Sequence, residues 1–116
     1  MAITIKSQNP AALLAAIKKA IDDDEVETWE YDAHGDFTHT PAQWIHHAWL
    51  RPTVSPGQLT FGIVPNQKKI LSSLIYGIYH GRFIEMLLSH FEDKFTDAVA
   101  SAGFKAPFDT LPSGIK

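Results

Sequence analysis

The chain has no cysteine. Disulfides, thiolate nucleophiles and cysteine-based zinc sites are therefore excluded, and 116 residues must fold on packing alone. Long apolar runs are missing too: none approaches the roughly 20 residues a membrane-spanning helix needs. Residues 11–17 (AALLAAI) could pass for the core of a secretion signal, but Lys18 and Lys19 follow where a cleavage site wants small residues. That stretch reads instead as one face of an amphipathic helix. The expectation is a cytoplasmic protein without a membrane partner.

Positive charge is sparse. Ten Lys and Arg stand against thirteen Asp and Glu, for a net charge of −3. The lysines are scattered, with adjacent pairs only at Lys18–Lys19 and Lys68–Lys69. No basic stripe exists to neutralise phosphates, so nucleic acid is not an expected partner. Also missing are a G-x-S-x-G elbow, a phosphate-cradling glycine loop and an H-E-x-x-H pair. No cofactor is expected, and the chain reads as a binding module more readily than as an enzyme.

What is present is a 45% hydrophobic composition with clear local signals. Asn9-Pro10 is a helix start, with Asn as N-cap and Pro in the first turn. Leu13, Leu14, Ile17, Ala20 and Ile21 recur at helical spacing. The acidic run Asp22-Asp23-Asp24-Glu25 opposes the helix dipole and ends the helix before Asp24. Asp32-Ala33-His34-Gly35 suits a type I turn with a glycine bulge. That turn pairs Tyr31 with Phe37 and Trp29 with His39, and gathers all four rings on one side of a hairpin. Residues 40–43 (TPAQ) read as one helical turn. A strand is expected from about Ile45 to Val54, and residues 55–58 (SPGQ) form a type II turn. The returning strand then pairs Leu50 with Ile63. Residues 72–80 (SSLIYGIYH) read as a last strand, and a helix follows from about Arg82 to Ala100.

The expected architecture is a two-layer α+β domain over residues 1–102: an antiparallel meander of about five strands, with an N-terminal and a C-terminal helix on one face. Residues 103–116 form an irregular tail.

Residues 37–49 (FTHTPAQWIHHAW) hold three of the six histidines. Neighbouring strand residues point to opposite faces, so His46 and His47 cannot share an ion on an unbroken strand. A different metal set survives on paper: His39 and His46 at one sheet edge, with a carboxylate from Asp97 or Asp93 brought back by the last helix. It would make the chain a metal-dependent enzyme. The stronger expectation is that this stretch builds the fold and binds no metal. The sheet face that the helices leave open carries Trp49, Arg51, Tyr79 and His47 among Ile45, Val64 and Ile75. Trp, Tyr and Arg dominate binding hot spots, so these four are the expected binding residues, for a protein partner or a second copy of the chain. A competing expectation is that Phe104, Phe108 and Leu111 of the tail cover this face.

Overall fold

The computed structural model describes residues 2–110. The elements run β1 (Ala2–Lys6), α1 (Pro10–Asp22), β2 (Trp29–Tyr31), β3 (Phe37–His39), β4 (Ala48–Ser55), β5 (Gln58–Pro65), α2 (Ser73–Phe91), a 3-10 turn (Glu92–Lys94) and β6 (Asp97–Ala100). The six strands form one antiparallel sheet in the order β2-β3-β4-β5-β1-β6. β1 lies between β5 and β6, so α1 carries the chain from there to the far edge at β2. α2 carries it from β5 past β1 to β6. Both helices bury their apolar stripes with one face of the sheet, which makes an α+β fold of two layers.

Local chemistry sets the two hairpins. Asp32 Oδ1 accepts from the backbone N–H of His34 (2.9 Å) and Asp36 (3.0 Å), and Gly35 takes φ +80°. The register is Trp29 with His39 and Tyr31 with Phe37, as the turn residues imply. Gly57 takes φ +77° in the second hairpin, which pairs Ser55 with Gln58 and Leu50 with Ile63. α1 begins where Asn9 Oδ1 accepts from the Ala12 N–H (3.1 Å), and Asp24 leaves it with φ +59°.

Four expectations are corrected. The sheet has six strands, not five, because an N-terminal strand precedes the first helix. Ile3 and Ile5 of β1 are fully buried and pair with Phe61 and Leu59. Residues 73–80 are the first half of α2, not a strand. The Ser72 side chain caps that helix by accepting from the Ile75 N–H (3.2 Å), and Ile75, Tyr79, Phe83, Met86 and Leu87 form its buried stripe. The helix also stops at Phe91, so the chain ends in a strand: Ala98 and Ala100 of β6 pair with Ile5 and Ile3. Finally, β4 begins at Ala48. Residues 41–47 make a turn in which Trp44 and Ile45 donate to the Pro41 carbonyl (2.8 and 2.9 Å), and His46 has a left-handed φ of +60°.

The core is aromatic. Trp29 meets Phe83 and Tyr79 edge-on, with centroids 4.9 and 5.7 Å apart, and Phe61 packs on Phe83 at 4.5 Å and on Phe37 at 5.7 Å. Such pairs add to the stabilisation from area burial alone. Residues 101–110 form neither helix nor strand, yet they are tied down. β1 starts at Ala2, opposite Gly62, so among the described residues the next peptide of β5 has no strand partner on that side. The tail supplies one: Asp109 Oδ1 accepts from the Ile63 N–H (2.8 Å), and the Thr110 N–H donates to the Ile63 carbonyl (2.9 Å). The second Asp109 oxygen accepts from the Lys105 N–H (2.8 Å), which closes the segment on itself.

Candidate functional site: the open face of the sheet

Ala48 and Leu50 are fully buried toward the helices, so the residues that alternate with them on β4 point the other way. The open face then reads in rows across the strands. Trp49 lies opposite Val64, Arg51 opposite Gly62, and Thr53 opposite Thr60, with Thr4 and Val99 continuing the last row. On the hairpin side Glu30 is exposed and pairs with Thr38, whose own side chain is buried.

Two side chains on this face are held in fixed poses. The Arg51 guanidinium donates twice to Asp36, Nε to Oδ1 at 3.0 Å and Nη2 to Oδ2 at 2.8 Å. The Asp36 side chain is only 6% exposed while that of Arg51 is 52% exposed. The buried carboxylate thus anchors a half-exposed planar cation, and its hydrogen bond holds the guanidinium charged by raising its pKa. Trp49 is half-buried. The His46 ring stacks on it with centroids 6.0 Å apart at 24°, and His46 Nε2 lies 3.7 Å from Glu30 Oε1. His46 is held in its left-handed conformation from three directions. Its N–H donates to Thr38 Oγ1 (3.1 Å), its carbonyl accepts from Asn66 Nδ2 (2.8 Å), and its ring lies on the indole.

The tail covers one part of this face. A Cβ on Gly62 would collide with the Phe108 carbonyl, so only glycine lets the segment lie there. Phe108 does help to cover the sheet, as one expectation held. Phe104 is 47% exposed, and Leu111 lies outside the described residues. What remains open is the half around Trp49 and Arg51.

The other binding residues expected from sequence fall elsewhere. Tyr79 is on α2 and fully buried, because residues 72–80 are helical and the ring belongs to the core stripe. Its hydroxyl donates to the Trp44 carbonyl and lies 3.0 Å from Thr38 Oγ1, where it fastens the 41–47 turn to the sheet. Burial pushes the phenol pKa up. His47 is half-buried, edge-on to Trp44 at 6.5 Å, and burial with Lys69 nearby lowers its pKa.

The metal set does not assemble. His39 is on the helix side, packed 4.6 Å from Trp29, with Nδ1 at 2.7 Å from the Thr28 carbonyl. Burial lowers its pKa, so the ring is a neutral core group that donates from Nδ1. His46 is on the opposite face beside Trp49, and Asp97 is in β6 at the far edge of the sheet. No three His, Asp or Glu side chains among the described residues converge to hold a metal ion. A hollow of about 450 Å³ opens between the start of α1 and the 3-10 turn, lined by Ser7, Asn9, Asp93 and Lys94. Its best-placed polar atoms are engaged within the chain: Ser7 Oγ donates to the Lys94 carbonyl (2.8 Å), and Asn9 caps α1.

Glu30 and Asp36 belong to the candidate site and are not singled out by the sequence; His46 is, but as a metal ligand beside His39 rather than as a ring on Trp49. The hairpin register does put Glu30 and Asp36 on the side away from the rings. What the sequence did not supply was the pairing of β3 with β4 through Phe37 and Leu50, which brings Asp36 to Arg51.

Comparison with known proteins returns no likeness to argue from: no protein-family model, no curated protein and no solved structure matches the chain.

Proposed function

We propose that this chain is a non-catalytic binding module that recognises a partner protein through the open half of its sheet, with Trp49 as the anchor and Arg51 as the orienting cation. One observation carries this reading: a half-buried indole and a guanidinium clamped by a buried carboxylate share a face that neither helix covers. Rigid amphipathic anchors of this kind lose little conformational entropy on binding. The half-exposed carboxylate of Glu30 beside them favours a partner with a polar, partly basic rim around an apolar centre. We include a cytoplasmic location in the proposal. No helix among the described residues is long and apolar enough to cross a membrane.

The test compares the wild-type chain with Trp49→Ala and Arg51→Ala as baits, quantified by mass spectrometry. Circular dichroism and thermal melts check that each bait is folded. The proposal predicts a partner that the wild type retains and both variants lose. Identical partner sets for all three folded baits would refute it.

A further inference from the structure

The outer face of α2 carries a second apolar surface, on the side of the molecule away from the open sheet. Opposite the buried stripe, Leu74, Gly77, Ile78, Gly81, Glu85 and Leu88 line up at three- and four-residue spacing. Leu74 is 63% exposed and Leu88 54%, with Ile70 at 88% just before the helix. Among the described residues a Cβ added to Gly77 or Gly81 would meet nothing within 4 Å, so their packing gives no reason for either glycine. Glycine inside a helix is destabilising, and here it only lowers the outer surface where another body could approach.

The line is also self-complementary. About Gly81, Leu74 and Leu88 are equally distant along the sequence, and so are Ile78 and Ile84. If a second helix runs antiparallel with a twofold axis at Gly81, each leucine meets a leucine and each isoleucine an isoleucine. Glu85, the charged residue in the line, then falls opposite the glycine at 77, which leaves it room to keep its pair with Arg82 (3.4 Å). The ends match in charge as well. Lys68 and Lys69 precede α2 and Glu92 and Asp93 follow it, all exposed. Lys69 and Asp93 are equally distant from Gly81, so the antiparallel arrangement brings the basic end of one helix to the acidic end of the other. A parallel arrangement would set like charges together.

We infer that α2 is a homodimer interface in which two copies pack α2 against α2, antiparallel, across a twofold axis at Gly81. The two open sheet faces then point away from each other and stay available. The inference does not depend on what those faces bind.

The absence of cysteine makes a direct test possible. Gly81→Cys puts one thiol on the axis, where two copies come within the Cα separation of about 4.4–6.8 Å that a disulfide needs. Under mild oxidation it is expected to cross-link into a dimer, while Thr53→Cys on the sheet face is not. Sedimentation equilibrium of the unmodified chain, over roughly 10–200 µM because the interface is small, is expected to show dimer. Leu74→Glu with Leu88→Glu should weaken association more than roughly tenfold. Both leucines are exposed, so this variant should keep the wild-type circular dichroism. A wild type that stays monomeric across that range, a charged variant that still dimerises, or cross-linking at Thr53→Cys in place of Gly81→Cys would each overturn the inference.

Discussion

The two faces of the sheet use the same residue types to different ends. On the helix side, Trp29, Tyr79 and His39 form a closed set: the rings pack tilted or edge-on against one another, and the Tyr79 hydroxyl and His39 Nδ1 find backbone partners. On the open side, Trp49, His46 and Arg51 form a similar set of two rings and a polar group, but the rings are only partly covered and the cation reaches solvent. The difference comes from what lies above the sheet, not from composition. A histidine under a helix becomes a neutral core residue; a histidine seven positions later, on the other face, becomes half of an exposed stack. Aromatic and titratable residues mark a functional surface only once their face is known.

The largest test of this contrast is on the helix side. Tyr79→Ala should cost about 3–5 kcal/mol, because it removes a fully buried ring and the hydroxyl that fastens the 41–47 turn. Urea denaturation measures it, and a loss below about 1 kcal/mol would show that the core does not depend on this ring.

The next effect lies where the tail crosses the open side. Gly62→Ala should destabilise by about 1–3 kcal/mol, because the new methyl meets the Phe108 backbone. It should also release residues 103–110 to proteolysis and hydrogen exchange while the rest of the sheet stays protected.

His39 supplies a smaller, pH-dependent effect. Its folded pKa is depressed by burial, so the unfolded chain binds the proton more readily. Its contribution is complete above the ordinary imidazole value of about 6.5. It is lost as pH falls from there through the depressed folded value. The Tm should therefore drop as pH falls below about 6.5, and His39→Asn should flatten that slope. An unchanged slope in the variant would assign the pH dependence elsewhere.

The smallest effect concerns Thr60, in the row with Thr53 and Thr4; its buried hydroxyl has no hydrogen-bond partner among the described residues. Thr60→Val keeps the shape and removes the unmatched oxygen, so it should be neutral or stabilising by up to about 1 kcal/mol. A loss of stability would reveal a partner for that oxygen.

What the sequence made legible was chemistry that acts over a few residues. Asp32 and Gly35 specify one turn, Pro56 and Gly57 the other, and each turn fixes a register that carries Trp29, Phe37, Leu50 and Ile63 to their observed neighbours. Asn9 and Pro10 mark α1 in the same local way. Residues 72–80 failed because an apolar run fits both periods: Leu74, Tyr76 and Ile78 alternate as a strand would, while Ile75, Tyr79 and Phe83 recur as a helix does. The tiebreak was the Ser72 cap together with the 19-residue length of the helix that follows. β1 was overlooked although Ile3 and Ile5 alternate with Thr4 and Lys6, since five residues at a terminus carry little pattern. β6 was hidden because Phe95 and Ala98 extend the period of the preceding helix. Of the candidate site, Trp49 and Arg51 were legible from alternation along β4. The partners that hold them, Asp36 and His46, depend on which strands adjoin and on a left-handed residue, and no local pattern announces either.

The most direct test of the division between the two faces is chemical denaturation of Trp49→Ala beside Tyr79→Ala. The account predicts that Trp49→Ala unfolds within about 1 kcal/mol of wild type, with the same urea dependence, while Tyr79→Ala loses several times as much. A Trp49→Ala chain that unfolds as readily as Tyr79→Ala would contradict it, and would make the open face part of the core.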